Sequence, residues 1–451
     1  MGSIISFVLM LLIGCGVLAI NLDNFYYSII LTLANFSLCF YIINNNNLSK
    51  NILNPQSILM IGFLLFFLGR FIGVLFDVHY LPYTFCIDFI FNYCSDDYDK
   101  FNLIVYLNCI LIFFAMGFVF PPKKIFYNMI FPGYKPIFYV FLIGVFSTLF
   151  SLFDTIQNVY SAVNSGYLAI YAGQSEEYET PYSLLINTVS VSTLAILFSV
   201  KDRDDKINKF FKIVFYILIF KMVIGILSGS RASFISACLI MLWYLFRNRE
   251  FLARHYFYLL GSSVFLITFI NKIASLSNAR IIDSTNRSFF ENIAFVFYNQ
   301  GITMMVFNSG LKLDTFPILG YLKVLFPGIQ VLFKFFGVNE RKDFNWSSYM
   351  VYNENIVAYY NGNGLGWSLY NDFYALSFGF LPLFCFFIFL FSRFVVKCVS
   401  VNGFYTQGLL FIFVTTFFTL NRSSISVLIF SIFVYSFIYL IIVKVRIGGK
   451  N

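Results

Sequence analysis

Two short turns between apolar runs each carry an arginine with serines close by: residues 228–233 read SGSRAS and residues 421–424 read NRSS. A guanidinium offers a planar fork of donors that matches phosphate oxygens, and the free N–H groups at the start of a following helix also attract anions. The two turns therefore predict an anion site that contains Arg231, Ser230, Arg422 and Ser423. The alternative is structural, because an isolated arginine can extend to lipid headgroups or pair with a carboxylate.

A third polar feature, residues 362–374, reads GNGLGWSLYNDFY and leads into another apolar run. Its glycines permit a tight reversal of the chain, Ser368 is placed to cap a helix, and Asp372 falls in the first turn, where a carboxylate suits the helix dipole. Helix capping is one interpretation of Asp372. The other is that its carboxylate accepts a proton from a substrate hydroxyl or orients that substrate.

Residues 277–371 form a long polar segment with many glycines, asparagines and basic side chains. The loops at 77–100 and 157–182 are acidic, so the basic surface is confined to this third long loop. We expect two apolar stretches in it, 289–307 and 318–336, to be short helices at the membrane interface or on top of the bundle. The candidate residues of the segment are Arg280, Arg287 and Arg341 for anion binding and Glu291 as a second proton acceptor.

These features stand in a chain of 451 residues that is 59% hydrophobic, 22% aromatic and 11% charged, whereas about a quarter of a soluble domain is charged. Apolar runs of about 17 to 22 residues are long enough to cross a bilayer as helices. The sequence therefore predicts an all-α polytopic membrane protein with about 12 transmembrane helices. It would be a single transmembrane domain, 1–451, with one large extracytoplasmic loop at 277–371. The predicted spans are 4–20, 25–43, 56–76, 101–120, 136–155, 183–200, 213–227, 232–246, 256–276, 372–393, 404–420 and 425–443.

The distribution of basic residues predicts the orientation. If both termini are cytoplasmic, the inner segments collect most of the lysines and arginines, while the short outer segments hold only Lys100, Arg231 and Arg422. This asymmetry fits the positive-inside rule, from which long loops are exempt. We therefore expect both arginine turns and the segment 277–371 on the outer face.

Cysteines and histidines restrict the chemistry. His79 and His255 are predicted on opposite sides of the membrane with no Cys or carboxylate at ligand spacing, so we expect no metal site. No Gly-rich nucleotide loop is present, and we expect no cofactor and no nucleic-acid partner. Cys86 and Cys94 share an outer loop, where a disulfide can persist.

The same motifs resemble those of a known family. The run GNGLGWSLYNDFYALSFG at 362–379 is similar to the Gly-rich, Ser, acidic, Tyr, Gly segment that precedes a late span in O-antigen polymerases of the Wzy type. The run ILSGSRASF at 226–234 resembles their Gly-Ser-Arg-small turn, and the layout of spans with one large late periplasmic loop also fits. Asp372 stands where the family more often has Glu.

The resemblance implies a glycosyltransferase of lipopolysaccharide biosynthesis in the bacterial inner membrane. It would transfer a growing glycan from undecaprenyl pyrophosphate onto an incoming lipid-linked repeat unit at the periplasmic face, without a metal, because fixed cations stabilise the leaving group. Membrane lipid is a further partner, and a polysaccharide chain-length regulator is a candidate. The implied roles are donor pyrophosphate binding by Arg231 and Arg422 with Ser230 and Ser423, binding of the second pyrophosphate or the glycan by Arg280, Arg287 and Arg341, and proton acceptance by Asp372 or Glu291.

Two other functions share part of this pattern. A lipid-linked oligosaccharide flippase or other transporter also has about twelve spans, but such folds usually show two related halves, and this chain shows no internal repeat and one outsized loop. An O-antigen ligase would share the layout and the arginines. Such ligases typically place a histidine in the large periplasmic loop, and this loop has none, which favours the polymerase.

Overall fold

A computed structural model describes residues 2–19, 25–46, 53–87, 91, 93–120, 125–126, 133–165, 181–229, 231–247, 288–338, 340–361 and 364–448, which are mainly helical. Its helices are α1 (Gly2–Ala19), α2 (Phe25–Asn45), α3 (Pro55–Phe66), α4 (Gly69–Phe76), α5 (Asp97–Val119), α6 (Tyr134–Ser165), α7 (Pro181–Val200), α8 (Asp205–Ile224), α9 (Arg231–Phe246), α10 (Phe289–Gln300), α11 (Ile302–Leu311), α12 (Ile318–Leu325), α13 (Gln330–Phe335), α14 (Trp346–Glu354), α15 (Ile356–Tyr360), α16 (Leu369–Leu376), α17 (Leu381–Ser400), α18 (Phe404–Leu420) and α19 (Ile425–Gly448).

Short strands and one-turn 3-10 helices complete the description. Strand β1 (Cys86–Ile87) pairs antiparallel with β2 (Tyr93–Cys94), and a disulfide joins Cys86 to Cys94. Strand β3 (Ile125–Phe126) pairs parallel with β4 (Val401–Asn402). The 3-10 helices are Val78–Tyr80, Lys201–Arg203, Gly225–Ser228 and Arg341–Asp343.

The helices confirm a polytopic membrane protein of the all-α class. Seven of the described helices are long and apolar enough to cross a membrane, and α3 with α4 adds an eighth if this pair is one broken span. Three shorter apolar helices are α1, α9 and α18. Every predicted span except 256–276 overlaps one of these helices. Residues 256–276 lie outside the described part of the chain, so the number of twelve stays a prediction.

Three spans differ from their predicted form. The run 56–76 is broken between α3 and α4, which meet at 58°. The run 213–227 belongs to a longer helix, since α8 begins at Asp205. The run 372–393 is divided between α16 and α17, because Phe378 and Gly379 both adopt left-handed backbone angles, φ 54° and φ 72°. Asp372 therefore lies in a short helix before the span.

Aromatic contacts define the two ends of the bundle. Phe211 near the start of α8 lies 5.4 Å from Tyr244 near the end of α9, and both Phe211 and Trp243 lie 6.1 Å from Phe411 in the first half of α18. The start of α8, the end of α9 and the first half of α18 thus lie together. The turn between α8 and α9 and the turn between α18 and α19 consequently lie at the opposite end, which we call the arginine end.

The segment 277–371 is not detached from the bundle in its described part. Helix α10 packs along α4 through glycines: a Cβ on Gly69 would lie 2.6 Å from the Phe297 carbonyl oxygen. Helix α11, which falls in the predicted stretch 289–307, lies in the main core, where Met304, Met305 and Phe307 are fully buried. The segment therefore helps to form the core as well as the surface of the arginine end.

Candidate functional site

The segment 364–376 turns and begins a helix as the sequence predicts. Gly366 adopts a left-handed φ of 91°, which permits the reversal. Ser368 caps α16, since its hydroxyl oxygen accepts from the Asn371 N–H at 3.2 Å. Helix α16 is also bonded to α11, because the Tyr374 hydroxyl donates to the Leu311 carbonyl at 2.9 Å. These contacts hold Asp372 in a rigid setting.

The Asp372 carboxylate joins two parts of the chain that are far apart in sequence. Its Oδ1 accepts from Trp367 Nε1 at 2.7 Å, and its Oδ2 accepts from the Ile425 backbone N–H at 2.5 Å. Ile425 opens α19, so the carboxylate caps the start of a different helix from its own, where the helix dipole favours a negative charge. This helix start follows directly on the turn that carries Arg422.

Burial of Asp372 is complete, and this governs its titration. None of its surface is exposed, and α16 lies outside the candidate spans. Burial raises the pKa of Asp372 to about 7, against the opposing effect of its donors Trp367, Ile425 and Ser424 and of the charge on Lys323. The carboxyl group is therefore set to titrate near neutral pH while both of its oxygens accept hydrogen bonds.

In the turn between α18 and α19, Arg422 is exposed and Ser423 is bonded to the end of α18. The Arg422 side chain is exposed, and its guanidinium carbon lies 5.5 Å from the centre of the Phe66 ring. The Ser423 hydroxyl donates to the Thr419 carbonyl at 3.1 Å, so its one hydrogen is used within the end of α18. Arg422 is thus the cationic group that this turn presents at the arginine end.

Asn421 anchors the same turn to α3. It is fully buried, and its Nδ2 donates to the Leu59 carbonyl at 3.0 Å. The approach requires a glycine, because a Cβ on Gly62 would lie 2.4 Å from Asn421 Nδ2 and 2.8 Å from the Phe418 carbonyl oxygen. The position of Arg422 therefore depends on contacts with α3 as well as on Asp372.

The Arg231 turn lies at the same end of the bundle. Gly229 adopts a left-handed φ of 88° and ends the 3-10 helix Gly225–Ser228. Arg231 is half-buried at the start of α9, and its backbone N–H donates to the Gly229 carbonyl at 3.0 Å. Because α9 packs against α18, the two arginine turns belong to neighbouring helices.

Basic residues of the long segment approach the same region. Helix α12 packs on α19 and carries Lys323, whose charge acts on Asp372. Arg341 is half-buried in a one-turn 3-10 helix that packs against α12 and α14. The described part of the segment thus adds positive charge beside the Arg422 turn.

The remaining candidates fall elsewhere. Glu291 is exposed at the start of α10, where it forms a capping box: its Oε2 accepts from the Ser288 N–H at 2.7 Å, and its own N–H donates to Ser288 Oγ at 3.3 Å. This structural role accounts for its position. The candidates outside the described residues are Ser230, Arg280 and Arg287.

Sequence reasoning did not single out two residues, Trp367 and Lys221. Trp367 holds the Asp372 carboxylate, yet its sequence signal was only its place in the Gly-rich motif. Lys221 lies within α8, and the signal was a single lysine inside an otherwise apolar run.

The architecture defines a polytopic helical membrane protein with basic turns at one end of its bundle, a buried carboxylate beneath one of them, and a long segment folded back over the core. The chain belongs to the O-antigen polysaccharide polymerase Wzy family, whose model matches residues 3–448. Neither a curated protein nor a solved structure matches the chain.

Membership confirms the resemblance seen in the motifs. The protein is a repeat-unit polymerase of glycosyltransferase type in lipopolysaccharide biosynthesis, and it acts in the membrane on lipid-linked oligosaccharide repeat units. The flippase and ligase interpretations are not favoured by this match.

Proposed function

We propose that the arginine end is the periplasmic face of the inner membrane, with both termini cytoplasmic, and that it binds a glycan donor linked to undecaprenyl pyrophosphate. The observation that carries the proposal is the bond from the Ile425 N–H to the Asp372 carboxylate, which fixes the Arg422 turn beside the long segment. The basic residues Lys323 and Arg341 of that segment lie nearby. Such a cationic surface suits a diphosphate.

The chemistry follows from the charge that develops during transfer. The bond between the donor sugar carbon and the diphosphate oxygen breaks, and the acceptor hydroxyl oxygen bonds to that carbon and loses its proton. Negative charge grows on the departing diphosphate, so preorganised guanidinium groups lower the barrier without a metal. Arg422 and Arg231 would supply these groups, with Ser230 close to Arg231. Arg341 would hold the second diphosphate or the glycan, as would Arg280 and Arg287.

The geometry favours a positioning role for Asp372. Both carboxylate oxygens accept hydrogen bonds and the residue has no exposed surface, so it acts on the substrate through the Arg422 turn. Proton acceptance by Asp372, or by Glu291, is the competing hypothesis. The two hypotheses differ in their pH profiles, because a proton acceptor must be ionised to work.

Glycan profiling of a deletion strain tests the proposed function. Complementation with the wild type should restore long polymer, and Arg422→Ala should leave single repeat units on the surface lipid, with a loss of transfer of about 100-fold or more. Lys397→Ala is the matched control, since Lys397 is exposed near the far end of α17, and it should restore polymer fully. Equal protein levels in the membrane are required.

Three outcomes would contradict the proposal. Full-length glycan from Arg422→Ala would remove Arg422 from the donor site. Precursor trapped on the inner leaflet of the deletion strain would indicate a flippase. Long polymer that is not attached to lipid would indicate a ligase.

A further inference from the structure

Lys221 places a positive charge inside the bundle, in the part of α8 that approaches the arginine end. Residues 205–228 form a candidate membrane span, and Lys221 lies within it. The cost of a charge in that setting makes an intramembrane lysine a functional candidate by default. The surroundings of Lys221 therefore have to explain why a lysine lies at this depth.

The hydrogen-bond partners of Lys221 are neutral. Its ammonium donates to Ser151 Oγ on α6 and to Asn187 Oδ1 on α7. An ammonium carries three N–H donors, and no third acceptor is seen among the described residues. The charge of Asp154 on α6 acts on it, but no ion pair joins the two within the described part of the chain.

Close helix packing builds this setting. A Cβ on Gly144 of α6 would lie 3.0 Å from Thr193 Oγ1 of α7, and one turn further along α6 the Thr148 and Ser190 hydroxyls lie 2.6 Å apart. Ser151 follows one turn beyond Thr148 and meets Asn187. The interface of α6 and α7 is thus lined with small polar groups up to the level of Lys221.

The next layer toward the arginine end belongs to the Arg231 turn. The Gly225 N–H donates to the Lys221 carbonyl, so Gly225 lies one helical turn beyond Lys221. A Cβ on Gly225 would lie 3.9 Å from Ser233 Cβ of α9 and 4.0 Å from Thr155 Cγ2 of α6. Lys221 and Arg231 therefore lie at different depths on the same hairpin, with Lys221 about 5 Å or more deeper.

The geometry points to Lys221 as a further ligand of the donor diphosphate, specifically for the phosphate that is bonded to the prenyl chain. This inference rests on the proposed function, since it assumes that the Arg231 turn faces a lipid-linked diphosphate. A prenyl diphosphate enters the bilayer with its chain first, so its lipid-side phosphate lies deeper than its sugar-side phosphate. The deeper cation, Lys221, therefore binds the lipid-side phosphate, and Arg231 binds the sugar-side phosphate.

This order of contacts gives the two residues different ligand profiles. Undecaprenyl phosphate carries only the lipid-side phosphate, whereas undecaprenyl diphosphate carries both. Lys221→Met should weaken the binding of both lipids by about 10- to 100-fold, the range of a charge-assisted hydrogen bond. Arg231→Ala should weaken the binding of the diphosphate and leave the monophosphate unchanged.

The experiment measures the binding of both lipids to the full-length protein in nanodiscs, by native mass spectrometry or thermal shift. Lys209→Met is the matched control, since Lys209 is exposed near the start of the same helix, and it should bind like the wild type. Inorganic diphosphate tests whether the headgroup alone suffices, and phosphatidylglycerol tests whether any anionic lipid suffices. Lys221→Arg should retain most of the affinity.

A second variant separates binding from a structural role. Asp154 lies near Lys221 and should repel an incoming phosphate, so Asp154→Asn should bind undecaprenyl phosphate several-fold more tightly. If Lys221 and Asp154 only stabilise the bundle, Asp154→Asn should lower the unfolding temperature and leave lipid affinity unchanged.

The inference would be overturned by wild-type affinity of Lys221→Met for both lipids, by an identical profile for Lys221→Met and Arg231→Ala, or by equal binding of phosphatidylglycerol. These failures are distinguishable from failure of the proposed function. Full-length glycan from Arg422→Ala contradicts the proposed donor site, whatever the lipid affinities. Loss of polymer in Arg422→Ala with unchanged Lys221→Met binding contradicts only the role of Lys221.

Discussion

At the scale of single residues, the structure separates buried anchors from an exposed cation at the proposed site. Asp372 and Asn421 are fully buried and hold backbone groups of α19 and α3. Arg422, the residue after Asn421, is exposed. Removal of a buried anchor and removal of the exposed cation should therefore have different signatures, because an anchor acts on stability and geometry together.

Asp372→Asn should change the pH dependence of stability. The folded-state pKa of about 7 lies above the unfolded value of about 3.9. The contribution of this group is thus fully present below the unfolded pKa and is lost as pH rises through 7, with a slope of up to about 1.4 kcal/mol per pH unit. The wild type should become more stable relative to Asp372→Asn as pH falls from 8 to 5, measured by thermal unfolding in nanodiscs.

An identical pH dependence of stability for the wild type and Asp372→Asn would contradict this prediction.

The pH dependence of the transfer reaction provides a second measurement. If Asp372 is the proton acceptor, wild-type kcat/KM should fall below about pH 7, in line with the ionisation of the group. If Asp372 instead positions Arg422, Asp372→Asn should lower kcat/KM at every pH. The shape of the pH profile of kcat/KM should then stay the same, because other groups set it.

Trp367→Phe tests the other bond of the same carboxylate. The change keeps an aromatic ring and removes the indole N–H that donates to Asp372 at 2.7 Å. A buried acceptor then loses one partner, which should cost about 1 to 3 kcal/mol. Polymer length should fall in parallel with the unfolding temperature. Trp346→Phe is the comparison, since the Trp346 indole bonds instead to the Pro317 carbonyl, and loss of polymer in that variant alone would contradict the role of Trp367.

At the scale of helices, glycines decide how closely the elements that carry the site can approach. Gly62→Ala should force α3 and α18 apart, because its Cβ would lie 2.8 Å from the Phe418 backbone oxygen. Overpacking of this kind costs about 1 to 3 kcal/mol, and the shift should reach Arg422 through Asn421. Thermal unfolding and glycan profiles measure the two effects.

Gly16→Ala is the matched helix-glycine control. Its Cβ would meet only Leu31 Cδ1, at 3.9 Å, so stability should stay the same or rise slightly with the higher helix propensity of alanine. Equal stability loss in Gly62→Ala and Gly16→Ala would contradict the packing argument.

Helices and motifs are predictable here to different degrees. Long apolar runs and the two arginine turns are visible in the sequence, because bilayer thickness sets a minimum run length. The break between α3 and α4 is not, since it contains no proline and depends on contact between Gly69 and α10. The partner of Asp372 is not predictable either, because Ile425 lies 53 residues away and only the folded bundle brings them together.

The burial of α11 has a signal in the sequence. Residues 302–307 read ITMMVF, in which Thr303 is the single polar residue, and such a wide apolar surface favours burial. Lys221 had the opposite signal, a single charge in an apolar span. In both cases the signal is visible in the sequence, but tertiary contacts determine where the residues lie in the fold.

At the scale of the whole molecule, the site is assembled from distant parts of the chain. Helix α3 contributes Gly62 and Phe66, α8 and α9 contribute the Arg231 turn, the long segment contributes Lys323, and α16 to α19 contribute Asp372 and Arg422. Such an arrangement keeps cations at one end of the bundle, where the proposed lipid-linked donor would reach them from the bilayer.

The contact between Gly62 and Asn421 has a consequence for biosynthesis. Leu59 and Asn421 are separated by 362 positions, so the ribosome has to complete nearly the entire polypeptide before this junction can close. Until then, the face of α3 around Gly62 lacks its partner helix α18 and is accessible to other nascent segments or to quality-control proteases. Chains truncated before residue 421 should therefore be degraded rapidly, although most of their spans are already inserted.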